Sequence, residues 1–199
     1  MKTLCMDTTH KYLVIGLYED NQCVAKVNEM AWKKQSERFF PELMECLKKA
    51  NWNSDDINQV VITEGPGSYT GERIAMCIAK VLCTSKNLPL YTISTFQLYA
   101  GDLENVEVIM DARSQRAYCG ICNKGQLISE TIKTLSEVQV DLESGLHLIG
   151  DTDLINLAVE DIDFAENFMK VKQHWKKVDN IHTLTPHYLK SQEELVKGC

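Results

Sequence analysis

Twelve residues, Thr63-Glu64-Gly65-Pro66-Gly67-Ser68-Tyr69-Thr70-Gly71-Glu72-Arg73-Ile74, constrain this chain more than any other stretch. The apolar run Val60-Val61-Ile62 stops abruptly there, passes through a loop with three glycines and a proline, and opens into a helical pattern from about Thr70 to Ser85. Glycines at such density mark a backbone that needs unusual dihedrals or close approach by another segment. Strand, glycine turn and helix together predict an α/β architecture, with the unpaired N–H groups of the helix start aimed back at the loop. That geometry can cradle a phosphate, and it can equally be a tight connection that binds nothing. The loop lacks the lysine of a P-loop and the spacing of a dinucleotide fingerprint. Glu72, in the first helical turn, suits the helix dipole but would repel a phosphate.

The helix after the loop carries two stripes, Ile74/Ile78/Leu82 and Ala75/Ala79/Cys83. Apolar residues nearly all round predict burial on two sides. One side is expected on the sheet. The small-residue side is expected to admit a second helix, either within the domain or from another chain. On that reading Ala79→Glu would abolish pairing without unfolding the monomer. A second amphipathic helix is expected from Ser36, with Phe39, Phe40, Leu43, Met44 and Leu47 on its apolar side and Pro41 near its start.

At the N-terminus, Lys2 to Asp7, Tyr12 to Tyr18 and Gln22 to Val27 read as three strands in a meander, with Asp20-Asn21 as a turn. Ile57 to Ile62 and Leu88 to Tyr91 read as further strands and Thr95 to Ala100 as a short helix. Near Gly101 to Asn105 the pattern restarts. Val106 to Met110 again ends in an aspartate, Asp111, and Ala117–Cys122 with Gln126–Ile132 forms a hairpin across Asn123-Lys124-Gly125. Leu146 to Ile149 is a last strand. This echo predicts a duplicated architecture, with one lobe over 1–102 and a smaller one over 103–199. After the Thr185-Pro186-His187-Tyr188-Leu189-Lys190 stretch, the charged end is expected to fray.

A net charge of −7 argues against nucleic-acid binding through the field of the whole chain. The one basic cluster, Lys170, Lys172, Lys176 and Lys177, reads as a solvated face. No run is long enough to span a membrane, and eight cysteines without a secretory leader point to a reducing, cytoplasmic setting. Cys46, Cys77 and Cys83 read as small core residues. Cys119 and Cys122 lie three apart on a strand and so on opposite faces, which favours neither a shared metal nor a disulfide. No two of the five histidines stand four apart, so no metal site and no catalytic group is expected.

Taken in order, Asp7-Thr8-Thr9, Gln35-Ser36-Glu37-Arg38 with Pro41, the glycine run, Asp111-Ala112-Arg113 with Tyr118, and Pro186-His187-Tyr188-Leu189 resemble the bacterial TsaB (YeaZ) family nearly end to end. The resemblance implies the duplicated actin, sugar-kinase and Hsp70 type of fold, with two lobes of mixed sheet and helices, the second reduced. It implies a scaffold subunit, without cofactor, in the complex that adds threonylcarbamoyl to the adenosine beside the tRNA anticodon. The implied partners are a metal-bearing TsaD-type paralogue with a His-x-x-x-His pair, a small TsaE-type P-loop ATPase, and tRNA through the complex alone, with a homodimer as the alternative in isolation. Sliding that His pair onto this chain falls on Thr95 and Tyr99. Arg38, Phe39, Leu43, Ala75, Met76, Ala79, Lys80 and Cys83 are the expected partner interface.

The family pattern differs at Gln35, where histidine is common, at Glu72, where an aliphatic residue is common, and at Lys190, where arginine is usual. The competing reading is an ATP-dependent kinase or acyltransferase that binds nucleotide through Asp7, Thr8, Thr9, Gly65, Gly67 and Ser68. On it, Asp7 and Asp111 are metal–phosphate candidates; otherwise they are turn and cap residues.

Overall fold

A computed structural model describes residues 1–190 of the 199-residue chain, so the charged end lies outside the described residues. Three strands open the fold: β1 (Lys2–Asp7), β2 (Tyr12–Glu19) and β3 (Gln22–Met30), joined antiparallel as a meander. Asp20 takes a left-handed φ of 55° in the β2–β3 turn, a conformation that aspartate tolerates. Helix α1 (Gln35–Ala50) follows and runs through Pro41. Then β4 (Gln59–Thr63) pairs parallel to β1, α2 (Tyr69–Lys86) crosses back, and β5 (Leu90–Ile93) pairs parallel to β4. β5 starts two residues after the sequence suggests, because the Leu88 amide closes α2 by donating to the Cys83 carbonyl at 2.9 Å.

The buried α3 (Thr95–Ala100) leads to the second sheet. There β6 (Val106–Asp111), β7 (Arg116–Asn123) and β8 (Gln126–Thr134) repeat the meander, α4 (Leu135–Glu143) repeats the position of α1, and β9 (His147–Gly150) pairs parallel to β6 as β4 does to β1. The echo in the sequence is therefore a topological repeat. The reduction is visible too: four strands, in the order β8-β7-β6-β9, against six in the first sheet. Helix α5 (Phe164–Lys170) returns toward β2 and β3, and β10 (Lys176–Lys177) adds an edge strand to the first sheet beside β5. Two of the four clustered lysines thus form a strand, and Lys170 pairs with Asp102 at 3.3 Å. α4 and α5 were not legible as helices, although Thr134 and Glu137 form a reciprocal capping box at the start of α4.

The alternation of strand side chains divides the core into layers. Leu4, Met6, Leu13 and Ile15 face α1 and α2; Cys5, Val14, Val61 and Ile93 face α3, α5 and the inner face of the second sheet; Ile109, Ala117 and Cys119 face α4. Cys119 and Cys122 fall in different layers, on opposite faces of β7. Cys46 and Cys83 are core residues, but Cys77 is exposed, contrary to expectation. Among the described residues no helix is long and apolar enough to cross a membrane.

The stripes of α2 are assigned the other way round from the sequence reading. Ala75, Ala79 and Cys83 are fully buried against the first sheet, while Ile74, Ile78 and Leu82 are only half-buried at its flank. Small side chains let the helix axis sit close to the sheet, so the face expected to receive a partner is the face the core uses. Met76, Phe39 and Leu43 are buried as well. Ala79→Glu would place a charge in the core and unfold the lobe.

Candidate functional site: the cleft between the sheets

The end of β1 and the glycine loop form one interlocked unit. The Asp7 carboxylate accepts from the Thr9 amide at 3.0 Å, the Thr9 hydroxyl at 2.6 Å and the Thr63 hydroxyl. The Thr8 hydroxyl donates to the Gly71 carbonyl at 2.7 Å and accepts from the Ala75 amide at 3.1 Å, tying the turn to the first coil of α2. A Cβ at Gly67 would run into the Thr9 carbonyl, and one at Gly71 into the Thr8 carbonyl. These glycines are there because backbone packs on backbone. Asp7, Thr8 and Thr9 are buried, and burial raises the carboxyl pKa of Asp7 above its ordinary value despite its three donors.

Beneath the loop lies Glu72. Its carboxyl is buried and neither oxygen has a hydrogen-bond partner among the described residues. Burial pushes its pKa up to about 8, opposed only in part by the Gly67 amide and the Arg73 charge. Glu72 therefore points into the protein, not toward a phosphate outside the helix start. The C-terminal motif straps the same region: the His187 amide donates to the Glu64 carbonyl at 2.7 Å, the Tyr188 ring stacks on Tyr69 at 5.3 Å, and the Arg73 Nε donates to the Tyr188 hydroxyl at 3.0 Å.

Between the two sheets opens a cleft of about 830 Å³. Gly67 and Ser68 line it together with Thr70 and Gly71 at the start of α2, whereas Asp7, Thr8, Thr9 and Gly65 are not among its lining residues. Of the sequence candidates for a nucleotide or metal–phosphate site, Gly67, Ser68 and Asp111 line the cleft; its other lining residues Lys11, Trp32 and Asp151 were not singled out. Five basic side chains (Lys11, Lys33, Arg113, Arg116, Lys190) line it against three carboxylates (Asp111, Asp151, Asp153), a local basic excess in an acidic chain.

Its inner wall is a polar chain that joins the lobes. His10 Nε2 donates to Asp151 Oδ2 at 3.0 Å, the Asp111 amide donates to the same oxygen at 2.8 Å, and Lys11 pairs with Asp151 Oδ1 at 2.6 Å. The Tyr99 hydroxyl meets the other ring nitrogen of His10 at 2.8 Å. Burial would raise the pKa of Asp151, but His10, Lys11 and the Asp111 amide outweigh it and hold it at about 2. With one ring nitrogen on Asp151 and the other on Tyr99, His10 ties the end of β1 to the second sheet and to α3. Thr95 and Tyr99, the positions aligned with the metal-binding pair, are likewise engaged: the Thr95 hydroxyl bonds Thr9 at 3.1 Å and Tyr99 bonds His10.

At the outer rim, Trp32 from the first lobe faces Arg113 from the second, with the guanidinium carbon 5.1 Å from the ring centre. Asp111 holds that guanidinium at 3.0 Å and accepts from the Arg113 amide at 2.8 Å. Asp111 is thus a turn residue whose charge is matched locally. No sequence spacing marked Trp32 or Asp151, because their partners lie on other elements.

The family model described as "TsaD: tRNA N6-adenosine threonylcarbamoyltransferase" matches residues 26–188. Among curated proteins, the chain is 27% identical to the tRNA threonylcarbamoyladenosine biosynthesis protein TsaB of Bacillus subtilis, over 99% of this chain and 97% of that protein. It is 26% identical to the protein of the same name from Buchnera aphidicola (from Acyrthosiphon pisum), over 88% and 82%. Among solved structures, YeaZ from Pseudomonas aeruginosa superposes with a TM-score of 0.76 at 18% identity, over 94% of this chain and 99% of that one, which shows a shared fold.

Proposed function

The chain belongs to the threonylcarbamoyltransferase family of TsaD, on its TsaB (YeaZ) branch, and from that premise we propose that it is the non-catalytic scaffold subunit for threonylcarbamoyl transfer to the adenosine 3′ of the tRNA anticodon. The transfer itself falls to a metal-bearing TsaD-type paralogue in the cytoplasm, with a small TsaE-type P-loop ATPase as the further partner and tRNA reached through the assembly. The carrying observation is the outer face of α1 and α2. Phe40 and Met44 stand one turn apart on α1 with 58% and 64% of their surface exposed, and Val81 on α2 is 70% exposed. Tyr69, Arg73, Cys77 and Val81 follow one another at four-residue spacing on the solvent side of α2. A partner docked on these two helices would cover all of these apolar side chains at once.

The interface is therefore proposed for Phe40, Met44, Cys77 and Val81, with Arg38 and Lys80 at its margin. Phe39, Leu43, Ala75, Met76, Ala79 and Cys83 support it from beneath. Without the paralogue the same face is available to a second copy of the chain. The engagement of Asp7, Thr8 and Thr9 in internal bonds supports the scaffold reading over nucleotide binding at that turn. The test is co-purification with the host's TsaD-type paralogue, followed by a tRNA threonylcarbamoylation assay with and without this chain.

A further inference from the structure

We propose that the rim of the cleft is a clamp for one unpaired base of an RNA strand, held between the indole of Trp32 and the guanidinium of Arg113. This rests on the tRNA-modifying role proposed above and adds to it a contact made by this subunit itself.

Three independent features of the rim support it. First, Trp32 is 47% exposed and Arg113 side-chain exposure is 63%, so neither ring nor guanidinium is placed there to complete a core. Second, their contact is loose. Arg73 lies 3.8 Å from the ring centre of Tyr69, a closed stack, while Arg113 stands 5.1 Å from that of Trp32. A base occupies roughly 3.4 Å of a stack, so the two sides need to part by only about 2 Å to admit one. Third, both groups sit on strained turns that hold them at the rim. Lys33 beside Trp32 has φ 63°, and Arg113, Ser114 and Gln115 have φ values of 64°, 56° and 58° in succession. Three consecutive L-residues in the left-handed region cost on the order of 1–2 kcal/mol each. Such a turn persists where its geometry is used.

The chemistry selects the occupant. An aromatic ring opposed to an arginine plane is the arrangement that stacks single-stranded bases, and it works for any base because each has a π-face. Asp111 fixes the guanidinium from its inner side, so a phosphate would be repelled there. Lys33, which lines the cleft, and Lys34 follow Trp32 directly in the chain and are exposed, so they supply a favourable field for the strand backbone beside the ring. An acidic peptide would use the lysines but has no reason for the facing planes. A duplex cannot offer an unstacked base. A free mononucleotide would be expected deeper in the cleft, where its phosphate could reach the start of α2.

The experiment titrates the full chain, alone and bound to its TsaD-type paralogue, with an anticodon stem-loop RNA, following tryptophan fluorescence and the anisotropy of labelled RNA. The same sequence as a full duplex and adenosine monophosphate are the comparison ligands. The expected result is quenching by the stem-loop that Trp32→Ala abolishes, with affinity reduced tenfold or more and the salt dependence unchanged. Arg113→Lys should also weaken binding although it keeps the charge, and Lys33→Ala should instead flatten the salt dependence by about one. Stem-loop affinity that is the same for Trp32→Ala and the unaltered chain in both settings would overturn the proposal. So would equal binding of the duplex, or quenching by the mononucleotide at the same concentrations as the RNA. Failure of the chain to pair with the paralogue would instead count against the scaffold role, whatever the fluorescence shows.

Discussion

Asp151, at the end of β9 in the second sheet, accepts a hydrogen bond at 3.0 Å from His10, which follows β1 in the first. It also pairs with Lys11 at 2.6 Å, so one carboxylate holds the two lobes at the inner wall of the cleft. Breaking a buried pair by removing one partner leaves the others uncompensated. Asp151→Asn should lower stability by about 3 kcal/mol, read as the midpoint of urea unfolding. The pKa of Asp151 is depressed in the folded state, so its contribution is complete above the ordinary aspartate value of 3.8 and is lost as pH falls toward about 2. The unaltered chain should show that acid-side loss and Asp151→Asn should not.

Glu72 predicts the opposite slope. Its folded pKa of about 8 exceeds the ordinary 4.5, so the folded state binds the extra proton and stability falls as pH rises between those values. Above about 8 the loss is complete. Glu72→Gln should match the unaltered chain near pH 5 and exceed it near pH 8.5 by roughly 4 kcal/mol, at about 1.4 kcal/mol per pH unit. Parallel pH profiles of the two melting temperatures would refute the assignment.

The glycine loop gives a third outcome. If Gly67 and Gly71 serve backbone packing, Gly67→Ala and Gly71→Ala should each destabilise the fold by about 2 kcal/mol or more, since the obstructing atoms are carbonyls that side-chain motion cannot move away. A phosphate cradle would instead keep its melting temperature and lose a ligand. Calorimetry on the purified variants decides.

Inner and outer faces of the same helices should separate cleanly. Phe40→Asp and Val81→Asp lie on exposed positions and should change stability by no more than about 0.5 kcal/mol while removing association with the paralogue. Ala79→Glu should fail to fold. Light scattering and circular dichroism on the three variants check both halves of the statement.

The duplication was legible because each meander carries its own punctuation: Asp20-Asn21 in one, Lys124-Gly125 in the other, and an aspartate at the end of each first strand. The bounds of α3 match the sequence reading of Thr95 to Ala100; in the structure the Ser94 side chain caps the helix reciprocally with Gln97, and Gly101 follows its end. The stripes of α2 misled, because periodicity tells that two sides are apolar but not which one the sheet takes. Side-chain size decided it, with alanines where the axis must come close. The cleft was largely invisible. His10 and Asp151, or Trp32 and Arg113, meet only after two lobes have folded and docked, and no local spacing encodes that. Glu72 was visible as an anomaly, but not as a buried carboxyl beside Gly65, where His187 also returns from the far end of the chain.

The most direct measurement of the central claim is tRNA threonylcarbamoylation by the host's TsaD-type paralogue, purified alone, with this chain, and with the folded Phe40→Asp/Val81→Asp variant. A stable complex and modified tRNA are expected only with the unaltered chain, and neither with the variant. Full activity of the paralogue alone, or activity supported equally by the variant, would contradict it.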